Sequence, residues 1–225
     1  MENNYVLEMK TVQISPMRTL MTALKDILLE TNIIFSQELT SKDGKVSPAG
    51  IRIINMDKSH TILAHLFLDA FKFEHFYCKY PKIIIGVNMF HLFKLINTID
   101  NDDTLTMYIE EDDYKDGVVQ FLGLKFENGD IKQQKIQKLR LIEPETDELE
   151  VPDVTFSSIL NLPSSDFQKI IRDLSCISDK IEIKSVATAE GSELIFKCSG
   201  GFAQAEVRRA ESDESMKYIK IDCFQ

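Results

Sequence analysis

Apolar positions along this chain change period repeatedly, and the changes mark its elements. Val6, Met9, Val12 and Ile14 supply the first apolar positions, and alternation across LEMKTVQI predicts a half-buried strand. Ser15 and Pro16 then open a helix, Ser15 as its N-cap and Pro16 in its first turn, with Met17, Leu20, Met21, Leu24, Ile27 and Leu28 as the inward stripe. Ile33 to Phe35 reads as a strand and SQELTSKDGKVSPAG as a polar loop. From Gly50 the pattern predicts a strand through Ile51 and Ile53, a turn at Asp57, Lys58 and Ser59, and a strand through Leu63, Leu66 and Leu68. The aromatic-rich segment from Phe71 to Tyr80 is predicted as another strand. KIIIGVNMFHLFKLINTIDN passes from strand to helix, capped by Asn88, with Met89, Leu92, Phe93 and Ile96 inside and His91 and Lys94 outside. Three strands in TLTMYIEEDD, GVVQFLGLKFENG and IKQQKIQKLRLIE complete a half that condenses to β-α-β-β-β-α-β-β-β.

The segment LRLIEPETDELEVPDVTF then breaks every period. Pro144 and Pro152 lack a backbone N–H, and Glu143, Glu145, Asp147, Glu148 and Glu150 keep it solvated, so it reads as a connector between two halves. Leu149 and Val151 interrupt the acidic run, either as staples to the domain beneath or as part of a surface groove. Beyond it, a strand from Phe156 to Leu162 runs into Pro163 and a helix burying Phe167, Ile170, Ile171, Leu174 and Ile177. Strands at Lys180 to Ala187, Ser192 to Cys198, Gly201 to Arg209 and Met216 to Cys223 follow. This repeats the opening: in both halves a strand leads through proline into a helix whose stripe precedes an Asp, LKD at Leu24 to Asp26 and IRD at Ile171 to Asp173.

With 225 residues, 44% of them hydrophobic, the chain holds two small domains with cores of their own, taken as residues 1–138 and 156–225 joined by 139–155. No apolar run reaches membrane-spanning length and MENNYVLEMK is unlike a signal peptide, so a soluble intracellular protein with no membrane partner is expected. Cys78, Cys176, Cys198 and Cys223 are far apart, without a CxxC pair, which points to free thiols and to neither metal nor disulfides. His60 and His65 are expected on opposite faces of one strand, unable to share a metal. No phosphate loop, nucleophile elbow or HExxH pattern is present, so neither catalysis nor a cofactor is expected. A net charge of −10 argues against nucleic acid only if the 26 basic residues are scattered. They are not: Arg18 and Lys25 lie two turns apart on one helix, Lys94 faces out from the second, and Lys169 and Arg172 lie three apart on the third, which predicts three helices with basic or neutral outer faces.

ALKD at Ala23 to Asp26, MDKSH at Met56 to His60, GVN at Gly86 to Asn88 and FQKIIRDLS at Phe167 to Ser175 resemble the proliferating cell nuclear antigen family of DNA sliding clamps, in order and over nearly the whole chain. The resemblance implies an α+β clamp fold: two similar domains with helices on the inner face and antiparallel sheets outside. It implies a homotrimeric ring that encircles duplex DNA, serves DNA polymerase as a processivity factor, recruits repair proteins, is placed by a clamp loader and works in the nucleus or, for a virus, its replication compartment. Basic side chains touching only phosphates carry no sequence information, so such a ring slides. Carried over by position, Arg18, Lys25, Lys94, Lys169 and Arg172 face the DNA, while Asn97, Asn161 and Cys176 stand where the family often has further basic or polar side chains. A partner groove is implied at Met56, His60, Thr61, Leu63, Leu149, Val151, Pro152 and Phe156, receiving a motif that ends in paired aromatics.

Two departures accompany the resemblance. Subunit contacts would pair the edge Lys132 to Arg140 with Gly201 to Arg209 of the next copy, yet both edges are basic, with Glu206 the only acid between them. The second domain also stops before the family's last helix and closing strands, and is expected to be incomplete. The polar loop from Ser36 to Ala49 is longer than the family's, and this divergence implies a viral or protist source. A protein-interaction scaffold that does not encircle DNA and a monomeric processivity factor are the alternative functions.

Overall fold

The structure, a computed structural model, describes residues 4–40, 44, 46–145, 149, 158–188, 191–210 and 220–223. Its contacts divide the chain into two units, Met1–Val151 and Pro152–Gln225. The first unit runs β1 (Tyr5–Thr11), α1 (Ile14–Ile27), β2 (Glu30–Ser36), the two-residue strands β3 (Leu39–Thr40) and β4 (Val46–Ser47), β5 (Gly50–Met56), β6 (Leu63–Asp69), β7 (His75–Cys78), β8 (Lys82–Asn88) and α2 (Met89–Ile96). It continues through β9 (Thr104–Glu110), the short β10 (Tyr114–Lys115) and β11 (Val118–Val119), β12 (Phe121–Asn128) and β13 (Gln133–Arg140). The second unit holds β14 (Ser158–Asn161), α3 (Ser164–Ser175), β15 (Ile181–Thr188), β16 (Gly191–Ser199), β17 (Gln204–Ala210) and β18 (Lys220–Cys223).

Two antiparallel sheets form the first unit, ordered β13-β12-β9-β1-β7 and β6-β5-β2-β8. Both share one core with the helices. Met9, Met17, Met21, Ile33, Phe35, Ile53, Leu92 and Met107, drawn from β1, α1, β2, β5, α2 and β9, close around a residual void of only about 20 Å³, so the layers interlock at organic-crystal density. Central β9 buries five consecutive residues, Leu105 to Ile109. Tyr108 fits there because Gly123 opposite it has no side chain; a Cβ at Gly123 would lie 2.3 Å from the ring. In the second unit α3 sets Ile170 and Leu174 against Leu194, Phe196 and Cys198 of the antiparallel sheet β15-β16-β17. Cys78 and Cys198 are buried and Cys176 is exposed; burial pushes the Cys78 thiol up to about 11, so it stays protonated and inert.

Several expectations are corrected. Helix α1 starts at Ile14 with Gln13 at the cap and no side-chain cap bond; Ser15 lies inside the first turn, where its carbonyl accepts from the Thr19 hydroxyl at 3.0 Å. Pro16 is tolerated in that turn because its missing N–H would have no helical partner. The five segments read as strands between α1 and α2 are all present, two more than the condensed order allows, but of Phe71 to Tyr80 only His75–Cys78 is strand, because Asp69 caps a 3-10 turn at Ala70–Lys72. Phe167 is 38% exposed, its ring meeting only the edge of the small second core at Phe196. Strand β13 continues through Arg140, so Leu139 is buried sheet and not connector. The Asn88 cap is present: its side chain accepts from the His91 amide at 3.1 Å.

The turn joining β5 to β6 is built by one carboxylate. Asp57 accepts from the amides of Ser59 (3.2 Å), Thr61 (2.8 Å) and Ile62 (2.7 Å) and from the Ser59 hydroxyl, while its own N–H donates to Ile62 O at 2.9 Å. His60 takes a φ of 55° at the tip, off the strand on which it was expected. The Ser59 hydroxyl and the converging amides hold the Asp57 carboxyl well below the usual carboxylate range. Because the folded value is depressed, the stabilisation is complete above the ordinary value of 3.8 and is lost as pH falls through the folded value. The expected result is that the Asp57 carboxyl carbon shows no NMR titration between about pH 7 and pH 4, whereas Asp57→Ala speeds exchange of the Ile62 amide at every pH. A midpoint near 3.8 would contradict this account of the turn.

Candidate functional site

The connector leaves β13 and is fastened at once to the four-stranded sheet. Ile142 N–H donates to Gly86 O at 3.0 Å, forming an antiparallel bridge to β8. This needs glycine at position 86: a Cβ there would lie 2.6 Å from Ile142 O and 2.9 Å from Glu143 O. Three residues on, Asn32 of β2 grips the main chain of Glu145, donating through Nδ2 to its carbonyl (2.7 Å) and accepting its N–H on Oδ1 (3.0 Å). The fastening is therefore made by main-chain bonds over 142–145, ahead of the apolar residues expected to staple it.

Beside this fastening lies a groove of about 350 Å³ lined by Leu29, Glu30, Asn55, Met56, Asp57, Lys58, His60, Glu145 and Leu149. Leu29 and Leu149 are both partly exposed, Leu149 to 38%. Asn55 ties the floor together, donating from Nδ2 to Glu30 O (3.1 Å) and accepting the Met56 N–H (2.7 Å). Of the expected groove residues, Met56, His60 and Leu149 line it. Thr61 is engaged in the Asp57 turn and Leu63 pairs with Met56 across the hairpin, both outside the lining. Val151, Pro152 and Phe156 lie outside the described residues. Leu29, Glu30, Asn55, Asp57, Lys58 and Glu145 were missed, Asp57 and Lys58 being read only as turn residues. Leu29 alone carried a signal, as an apolar residue just past the end of the α1 stripe.

The helix faces differ from expectation in a specific way. On α1 the exposed positions are Ser15, Pro16, Thr19, Thr22, Ala23 and Asp26, with the Thr22 hydroxyl bonded back to Arg18 O at 2.8 Å. Arg18 lies at the flank: its guanidinium donates to Asn101 Oδ1 (3.0 Å) and to Ile99 O, and its buried Nε has no partner among the described residues. Lys25, its side chain only 20% exposed, pairs with Asp26 and lies over the Phe93 ring at 5.0 Å. The outward cations are Lys94, which is exposed with its ammonium 4.3 Å over Phe90, and Lys169 and Arg172, exposed on α3. Among the described residues no three His, Cys, Asp or Glu side chains could hold a metal, and no helix is long and apolar enough to cross a membrane.

The two expected assembly strands are sheet edges, β13 in the first unit and β17 in the second. Three of their cations have internal partners. Lys138 pairs with Glu110 and with Asp113 (3.0 Å), which raises its pKa, and Lys135 bonds Thr98 Oγ1 at 2.8 Å. Arg208 pairs with Glu206 and reaches Glu193 at 3.6 Å. Lys138 is thus paired by acids outside its own strand, and Arg208 by Glu206 on its own strand and Glu193 of β16, which lowers the like charge at each edge while Lys132, Arg140 and Arg209 remain exposed.

The family model of the proliferating cell nuclear antigen N-terminal domain matches residues 6–148, and that of the C-terminal domain matches residues 150–223. A probable DNA polymerase sliding clamp 1 of Paramecium bursaria Chlorella virus 1 is 28% identical over 217 residues, covering 94% of this chain and 74% of that protein. The proliferating cell nuclear antigen of Chaetomium thermophilum is 26% identical over 202 residues, covering 90% and 70% respectively. A probable DNA polymerase sliding clamp of Acanthamoeba polyphaga mimivirus is 29% identical over 220 residues, covering 87% of this chain and 46% of that protein. With both units matched in order and three helices against antiparallel sheets, the chain belongs to the proliferating cell nuclear antigen family of DNA sliding clamps.

Proposed function

We propose that this chain is a DNA polymerase processivity factor that encircles duplex DNA as a homotrimer, is opened by a clamp loader, and works in the nucleus or a viral replication compartment. It acts by holding other proteins to DNA, as its family does, and not by catalysis. The family match across both units carries this reading.

Its electrostatics follow from the site. An acidic protein holds a polyanion only where cations project without internal partners, and Lys94, Lys169 and Arg172 are the side chains of that kind on the helices. Arg18 and Lys25, committed to the 99–101 loop and to Asp26, contribute weaker phosphate attraction from the flanks. None of these groups reads bases, so the contact is independent of sequence and permits sliding. In the ring, β13 of one copy extends the sheet of the next at β17, an edge pairing that the internal neutralisation of Lys138 and Arg208 makes feasible.

Partners dock in the groove between the Asp57 turn and Leu149, with an aromatic anchor seated against Leu29, Met56 and Leu149 and with Glu30 and Glu145 on the rim favouring cationic flanks. Met56→Ala or Leu149→Ala is expected to weaken a synthetic peptide ending in paired phenylalanines by about 1 kcal/mol or more in calorimetry, with an unaltered dissociation constant removing the groove from the account.

Charge reversal at Lys94 with Lys169 and Arg172 is expected to abolish stimulation of primer extension by DNA polymerase while melting behaviour is retained. Each lost phosphate contact should lower the slope of log affinity against log salt by about 0.9. Arg18→Glu is expected to disturb the 99–101 loop more than DNA affinity. Full stimulation by the triple variant would contradict the assignment of these cations to the DNA.

A further inference from the structure

We propose that Asn32 is a positioning residue of the partner groove: its side-chain amide, bonded in both directions to the main chain of Glu145, sets the connector in place before any partner arrives. The proposal rests on the reading of the groove as a docking site.

Glu145 itself lines the groove, and Asn32 holds it from behind with a donor bond of 2.7 Å and an acceptor bond of 3.0 Å. A primary amide carries its donor and its acceptor on two separate atoms of one plane, so it pairs with a main-chain residue much as a neighbouring strand would. Aspartate, of the same shape, could accept the Glu145 N–H but would present an oxygen to the Glu145 carbonyl. The only other main-chain fastening among the described connector residues past Leu141 is Ile142 to Gly86. With Asn32 in place, Leu149 is tethered four residues beyond its anchor; without it the anchor retreats to Ile142 and the tether grows to seven. Four residues reach at most about 14 Å, which keeps Leu149 near Met56 and His60. Lengthening the tether to seven lowers the local concentration of Leu149 at the groove by about twofold through loop entropy alone. Loss of two hydrogen bonds to Glu145 adds to this. Binding must then supply the cost of ordering the connector, which appears as weaker affinity.

The experiment compares the unmodified chain with Asn32→Asp and Asn32→Ala by amide hydrogen exchange, and by calorimetry with the peptide of paired phenylalanines. The Glu145 amide is expected to exchange at least tenfold faster in Asn32→Ala and to be less affected in Asn32→Asp, which keeps an acceptor for it, with Ile33 in β2 and Ile85 in β8 unchanged, and the peptide to bind about three- to tenfold more weakly to both variants. Unchanged Glu145 exchange in Asn32→Ala overturns the proposal. Equal acceleration at Ile33 and Ile85 also overturns it, since that marks a general loss of stability. If Glu145 exchange rises while peptide affinity holds, and Met56→Ala still weakens binding, the groove stands and the positioning role falls. If Met56→Ala has no effect either, the docking reading itself fails.

Discussion

The structure of the candidate site depends on a chain segment rich in acids and proline being held against a sheet by main-chain bonds. Glu143 and Glu145 have no apolar side chain with which to staple the connector, and its position over 142–145 is set by the Ile142 bridge to Gly86 and the two-way bond of Glu145 to Asn32. The bridge exists because residue 86 has no Cβ to collide with Ile142 O. From these two points the remaining geometry follows. Leu149 reaches the groove, Glu30 and Glu145 stand on its rim, and the hairpin tip opposite is fixed by the Asp57 carboxylate gathering three amides. On the proposed docking reading, walls held in this way offer apolar anchor positions at little conformational cost.

Electrostatics follow the same economy. A chain of net charge −10 is paired across its neighbouring strands and turns, so that Lys138, Lys197 and Arg208 are neutralised inside their own units and Lys25 by Asp26. On the three helices the exposed cations are a small set, Lys94 on α2 and Lys169 with Arg172 on α3. Few such cations mean modest phosphate attraction from the helices.

How much of this was legible in the sequence varied with the range of the interaction. Period and punctuation placed the three helices, the Asn88 cap, the start of the turn at Asp57 and most strands, because each is decided within a few residues. Two local signals were misread, Ser15 losing the cap to Gln13 and Phe71 to Tyr80 being cut short by the Asp69-capped turn, while Phe167 depends on tertiary packing and finds too little core to bury it. The family resemblance led to Met56, His60 and Leu149 as groove residues. Asn32 could not be seen, since its partner lies 113 residues away and bonds through main-chain atoms that carry no side-chain signature. Arg18 read as an outward cation because its spacing from Lys25 is helical, but the Ile99 carbonyl and Asn101 that capture it arrive from beyond α2.

The central claim, that the chain remains on DNA by surrounding it, is tested most directly by retention on nicked circular duplex compared with the same duplex made linear, after loading and at one ionic strength. The account predicts stable retention on the circle and rapid release once the circle is cut, because the weak cation set cannot hold a molecule that is free to slide off an end. Equal retention on circular and linear DNA would contradict encirclement and assign the attachment to surface charge instead.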